Sequence, residues 1–203
     1  MLIVDLAHES ESTREQAANL LVEHFDEPLG WPDTDSAREE VARILNEGFA
    51  RAMLDSQAVV GWVGGLPEYN GRVWELHPMV VHSDHRGRGI GRALVTACES
   101  EARRRGAFTV TLGTDDNTDM TSLSGVDLYH DLPRHLAEVH DLGRGHPFGF
   151  YLKVGFVITG VLPDANGPGK PDIFMSKSLR GPGWDPSENP RKRETGCRPD
   201  SRL

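Results

Sequence analysis

The spacing of apolar residues changes period several times along the chain, and the changes mark the elements. The run Leu2 to Ala7 predicts a short strand. Ala18, Leu21, Val22 and Phe25 recur at helical spacing behind Ser12-Thr13-Arg14-Glu15, which fits a capping box. Glu27 to Asp33, with Pro28, Gly30 and Pro32, reads as a loop. Ser36-Ala37-Arg38-Glu39 then opens a second helix, striped by Ala37, Val41, Ile44 and Leu45 and ended by Gly48. From Phe49 the period shortens. Ala50 to Leu54 and Ala58 to Val63 flank Asp55-Ser56-Gln57 as a hairpin, and Arg72 to Val81 predicts a further strand.

Ile90, Leu94 and Ala97 form the face of a helix that runs to Gly106, and Phe108 to Leu112 predicts the next strand. Residues 117–145 are polar, with a short helix expected around Leu136. His146 to Val154 reads as helical up to Gly155. Phe156 to Val161 and Ile173 to Met175 read as the last strands. Hairpins beside strand-helix-strand units predict an α/β fold: a mixed sheet with helices on both faces. Residues 1–180 are expected to form one domain. Residues 181–203, with several prolines and glycines and no apolar period, are expected to be a disordered tail.

Composition narrows the function classes. Over 203 residues, 37% apolar and 26% charged is ordinary for a globular chain. No apolar run approaches the ~20 residues that span a bilayer. The opening Met1-Leu2-Ile3-Val4-Asp5 lacks the basic and apolar regions of a signal peptide. Cys98 and Cys197 cannot make a disulfide framework, so a reducing, cytoplasmic location is the default. The chain carries 22 basic and 31 acidic residues, and residues 1–180 alone hold 17 and 27. Such a body argues against nucleic acid, which needs clustered Lys and Arg, and would attract a cationic partner. From charge alone, solubility is the favoured explanation over a cationic substrate.

The strongest local signal is Arg86-Gly87-Arg88-Gly89-Ile90-Gly91-Arg92, after a strand and opening a helix. Glycines there let backbone N–H groups approach a phosphate, the helix N-terminus adds partial positive charge, and the arginines add charge-assisted contacts. It is not a P-loop, since no Gly-Lys-Ser/Thr follows, nor a good dinucleotide fingerprint, since the third small residue is missing. A solvated basic turn is the competing reading. Just upstream, Glu75 and His77 share one face of a strand, and Pro78 cannot donate to a ladder, so a bulge or a parting of strands is expected there. Glu75 and His77 at such a slot are plausible acid–base groups; a surface polar pair is the alternative. The nine histidines are scattered, and no metal site is expected from their spacing.

Arg86-x-x-Gly89-x-Gly91 after a strand resembles the acyl-CoA signature of the GNAT superfamily of N-acetyltransferases. Trp74-Glu75-Leu76-His77-Pro78, Leu112-Gly113-Thr114-Asp115-Asp116, Leu128-Tyr129, His146 to Tyr151, Gly160 to Gly167 and Lys170-Pro171-Asp172-Ile173 resemble one branch of it, the aminoglycoside 6'-N-acetyltransferases. Trp31-Pro32 and Pro67-Glu68-Tyr69 extend the likeness toward the N-terminus; the segment from Gly181 lies outside it.

The resemblance implies a GNAT fold with a splayed central strand pair, acetyl-CoA as acetyl donor, an aminosugar amine as acceptor, and direct transfer in a ternary complex. It places Glu75 as the base, with His77 as relay or substrate contact, the Met79 N–H on the oxyanion, and Tyr151 as the group that protonates the departing thiolate. Met79, Val80 and Val81 would line the cofactor with Arg86, Gly87, Arg88, Gly89, Ile90, Gly91 and Arg92. Asp115 and Asp116 would pair with substrate ammoniums, and Trp31 and Tyr69 would offer sugar-stacking surface. Asp119, Asp127 and Asp131 divide evenly between such a role and a turn-rich loop. Cys98 reads as a small helix residue, not a nucleophile. The branch is often dimeric, so a homodimer is expected. The rivals are the same chemistry on a polyamine or protein amine, and a CoA-binding regulator without activity.

Overall fold

The structure is a computed structural model that describes residues 1–25 and 30–181. Of the expected elements, most of the tail and part of the loop at Glu27–Asp33 lie outside the described residues. Seven strands form one sheet in the order β1-β2-β3-β4-β5-β7-β6. They are β1 (Leu2–Asp5), β2 (Phe49–Asp55), β3 (Ala58–Glu68), β4 (Val73–Val81), β5 (Thr109–Asp115), β6 (Val157–Leu162) and β7 (Asp172–Ser178). All neighbours are antiparallel except β4 and β5. That pair is joined by the crossover helix α3 (Ile90–Arg104), as a parallel connection requires.

Helices lie on both faces, as the mixed pattern predicts. On one face α1 (Glu11–His24) and α2 (Thr34–Glu47) bury Ala17, Leu21, Val41 and Ile44 against Ala50, Ala52, Trp62 and Val80. The Trp62 indole donates to the Ala17 carbonyl at 2.9 Å, so its one polar atom is satisfied in a fully buried site. On the other face α3 and α5 (Phe148–Lys153) bury Leu94, Val95, Cys98 and Tyr151 against Val63, Trp74, Val110 and Met175. The remaining α-helix, α4 (Leu132–Ala137), is the short helix expected around Leu136.

Two helix starts differ from the expectation. Ser10, not Ser12, caps α1 by accepting from the Thr13 N–H. Asp33, not Ser36, caps α2, and Ser36 closes the box from the third position. In both cases a polar residue two or three positions earlier in the loop reaches the exposed N–H groups first; at α2 the expected cap Ser36 becomes its partner, whereas at α1 the partner is Thr13.

The first two helices cover only the β1–β4 half of their face. Beyond β4 that face is open. Its floor is made by side chains of β4, β5, β7 and β6, including the hydroxyl row Thr111, Ser176 and Thr159, whose oxygens lie 3.2 and 3.0 Å apart in turn. An open cleft of about 460 Å³ sits there, walled by Glu68 and Tyr69 and floored by Glu75, Thr111, Gly113 and Phe174.

Candidate active site

The site begins where β4 and β5 part. Their pairing covers only Val73–Glu75 against Thr109–Thr111. Past Glu75 the register of β3 on β4 slips between Val63 and Gly65, so that β4 carries an extra residue around His77–Pro78. This is the bulge that Pro78 predicts. It changes which face each side chain takes: Trp74 and Leu76 pack toward α3, whereas Val80 packs toward α1 and α2. The His82 N–H donates to the Val60 carbonyl at 3.0 Å. By antiparallel alternation Val80, like His82, addresses β3, and the N–H groups of Met79 and Val81 face the gap left by β5. A strand edge opened inside a sheet thus offers backbone donors to a ligand.

The glycine-rich turn sits at the same opening. Gly89 caps α3 with φ of +82°, and Gly87 has φ of +72°; a Cβ at either would meet nothing within 4 Å. Both therefore need glycine for conformation, and both face open space where an anion can approach. Gly91 differs. Its Cβ would lie 3.2 Å from the Phe150 ring and 4.0 Å from Val81. Gly91 is where the first turn of α3, the end of β4 and α5 meet, so its smallness serves packing. Arg86 is turned back to donate from Nε to the Val81 carbonyl at 3.2 Å, and Arg88 contacts His85 at 3.1 Å. Arg86, Arg88 and Arg92 are exposed around the turn, while Ile90 is buried under it.

Glu75 and His77 alternate on the half-buried side of β4, as strand periodicity predicts. Their surroundings separate them. The Glu75 carboxylate lines the open cleft and makes no hydrogen bond or ion pair to the described residues. His77 is tied to α2: its Nε2 lies 3.2 Å from Glu40, and its ring lies 6.2 Å from that of Trp31. Burial works against the charge on Glu40, but hydrogen bonds from His77 and Arg43 outweigh it and hold that carboxyl down at about 2.

Three carboxylates converge at the strand ends. Asp115 and Asp172 are direct cross-strand partners on β5 and β7. The Asp172 carboxylate lies over Gly113, in the place of the Cβ that residue lacks, 2.6 Å from where it would be. Its Oδ1 is buried without a hydrogen-bond partner. Burial first, then the charges of Asp115 and Glu75, push its carboxyl up to about 6. Asp115 is exposed and accepts from the Asn166 amide at 2.7 Å.

Tyr151 is buried on α5 between Phe150 and Phe156, at ring separations of 5.1 and 5.5 Å. Burial, and after it the neighbouring Cys98, push its hydroxyl above the ordinary range, so it carries its proton at neutral pH. Cys98 is wholly buried and its thiol is pushed up to about 12, chiefly by burial, which fits a packing residue and not a nucleophile.

Some expected contacts do not hold. Asp116 is wholly buried, and its oxygens accept from the Met120 and Thr121 N–H groups and the Ser124 hydroxyl at 2.6–2.8 Å. It anchors the loop after β5 and has no oxygen to offer a substrate, which corrects its expected pairing with an ammonium. Asp119 pairs with Lys170 at 3.0 Å. Asp127 accepts from the Tyr129 N–H and His130, and Asp131 precedes α4 in a left-handed conformation. These three therefore take the turn role. Trp31 packs on Phe25 as well as His77 and does not line the open cleft. Tyr69 is exposed on the cleft wall. Asp172 and Glu40 were not among the expected site residues. Their places depend on strand register and helix docking, and neither can be read from local spacing.

The acetyltransferase (GNAT) family model matches residues 15–130, more than half of the chain. The chain belongs to this family. Its fold is the GNAT fold, with the parted β4–β5 pair and the cradle at the start of α3. Among solved structures, an aminoglycoside 6'-N-acetyltransferase complexed with coenzyme A is 40% identical, with 89% of this chain and 98% of that chain aligned at a TM-score of 0.82. The aminoglycoside 6'-N-acetyltransferase from Enterococcus faecium gives the same values. An aminoglycoside 6'-acetyltransferase type Ii is 35% identical over 89% and 99%, with a TM-score of 0.68. No curated protein sequence matches the chain. No helix among the described residues is long and apolar enough to cross a membrane.

Proposed function

We propose that this GNAT protein transfers acetyl from acetyl-CoA to the 6'-amino group of an aminoglycoside, directly and within one ternary complex. The observation that carries the substrate half is the uncovered sheet face, where Glu75, Asp115 and Asp172 converge and Asp172 keeps a buried, unpaired oxygen. Three carboxylates brought together, none of them in an ion pair among the described residues, suit a polycationic acceptor. The likeness to aminoglycoside 6'-N-acetyltransferases over 89% of the chain supports the same class.

The residues take these roles. The turn Arg86–Arg92 and the start of α3 receive the pyrophosphate, and Met79–Val81 run along the pantetheine arm. The attacking amine arrives as an ammonium and must lose a proton. Glu75, unpaired and facing the cleft, accepts it directly or through a water. As nitrogen attacks the thioester carbon, the carbonyl oxygen gains charge, and the Met79 N–H donates to it. The intermediate expels the CoA thiolate, which takes a proton from Tyr151, while the nitrogen sheds its second proton to solvent, from which Tyr151 is reprotonated. His77, fixed by Glu40, borders the acceptor with Trp31 and Tyr69. Asp115 and Asp172 hold ammonium groups other than the one acetylated.

The reading also takes the protein as a cytoplasmic homodimer. The second point is supported by β6 at the sheet edge, where Val157 and Leu162 are exposed. A CoA-release assay across amine classes tests the activity. Release with aminoglycosides is expected. Release only with polyamines or peptide amines would move the chemistry to another amine, and CoA binding without release would leave a regulator.

A further inference from the structure

Among the described residues two buried side-chain polar atoms lack a hydrogen-bond partner. One, Asp172 Oδ1, lies over Gly113 at the floor of the cleft. The other is Nε2 of His24, the last residue of α1. The His24 ring stands edge-on to His82, the residue after β4, with centroids 5.3 Å apart, and His82 is followed in turn by His85 at 5.6 Å. Glu23 completes the group: one ligand atom each from Glu23, His24 and His82 lie within 4.8 Å of one another.

We propose that Glu23, His24 and His82 form a binding site for one divalent ion of the zinc class, outside the substrate cleft, which fastens the end of α1 to the strand end that leads into the cradle. Two imidazoles and a carboxylate are a donor set that zinc takes, with a fourth position open to water. Arg86 opposes a cation here, and the carboxylates of Glu23 and Asp84 act in the other direction.

The geometry needs small adjustments. Ligands at ~2.1 Å from one ion stand about 3.4 Å apart, so the group must draw together by an ångström or so. Glu23 is exposed in the last turn of α1 and supplies most of that movement. His82 now accepts the Asp84 N–H on Nδ1 at 3.2 Å. Ligation through Nε2 shifts the ring proton to Nδ1 and releases that long bond on an exposed turn, where water replaces it. The spacing of histidines did not reveal the site, because His24 and His82 meet only when α1 docks beside β4. The proposal is independent of the acetyl-transfer reading.

Zinc alone, titrated calorimetrically into the full chain stripped by a chelator, tests it. One equivalent should bind saturably. Free zinc a hundredfold above Kd should raise Tm by about 5–10 °C. Cobalt in its place should give the visible absorption of a low-symmetry four-coordinate site. Glu23→Gln, an exposed change that leaves the fold intact, should weaken binding about tenfold or more, and His82→Ala should abolish the one-equivalent site, while His130→Ala, in an exposed turn, leaves it unchanged. Absence of saturable binding by the folded protein would overturn the proposal. So would equal affinity in Glu23→Gln and His82→Ala, which would put the metal on other histidines.

Discussion

At the scale of single residues, the site is a set of side chains whose environments push them toward different tasks. Glu75 faces the cleft unpaired, Tyr151 is kept protonated by burial, and Asp172 is held against two like charges. Glu75→Gln should lower kcat about 10²–10⁴-fold with little change in the KM for acetyl-CoA, read by steady-state CoA release. Tyr151→Phe should slow thiolate departure and leave acetyl-CoA affinity intact by calorimetry. Asp172 gives a pH signature. Its carboxyl sits at about 6 in the folded protein against 3.8 ordinarily. The native state therefore binds that proton more tightly than the unfolded chain. The stability this gives is fully present below about pH 4 and is lost as pH rises through 6. Asp172→Asn should consequently raise Tm at pH 7. Only the ionised form holds an ammonium, so the KM for an aminoglycoside should rise as pH falls below 6, and Asp172→Asn should raise KM at neutral pH and flatten that rise. An unchanged Tm together with an unchanged KM profile would remove Asp172 from the substrate's path.

At the scale of elements, the parted strands and the turn after β4 do the positioning. Gly89→Val should weaken CoA binding at least tenfold by calorimetry. It places a β-branched residue at φ of +82° and sets a side chain in the phosphate's approach. Gly91→Val should act differently, lowering Tm through collision with Phe150 as well as disturbing the cradle. Equal CoA affinity in the Gly89 variant would remove the turn from cofactor binding. The elements themselves were legible in the sequence because their signals are local. The period-2 run Val73–Val81 with its proline, the glycine turn opening α3, and the short helices around Leu136 and Phe148 all lie where the pattern puts them. What was not legible depends on pairing. The Asp115–Asp172 register, the Glu40–His77 contact and the enclosure of Asp116 exist only once strands are ordered and helices docked. Asp115 and Asp116 are neighbours in sequence, yet one is exposed at a strand's end and the other is sealed beneath its loop.

At the scale of the whole molecule, two features meet: an acidic chain, and a sheet whose second face is half uncovered. Carboxylates gathered over the bare β4–β5–β7 floor attract a polycation over a distance that salt shortens to ~8 Å at physiological strength. The specificity constant for an aminoglycoside should fall as ionic strength rises, mainly through weaker capture, while turnover at saturation stays level. A constant insensitive to salt would leave the negative charge as a solubility feature. The most direct test of 6'-N-acetylation compares two aminoglycosides that differ only at the 6' position, one bearing an amine and one a hydroxyl, in the same CoA-release assay with the product located by NMR. The expected result is rapid release with the amine, acetyl on the 6' nitrogen, and release at background rate with the hydroxyl. Equal release with both compounds, or acetyl found on a different nitrogen, would contradict it.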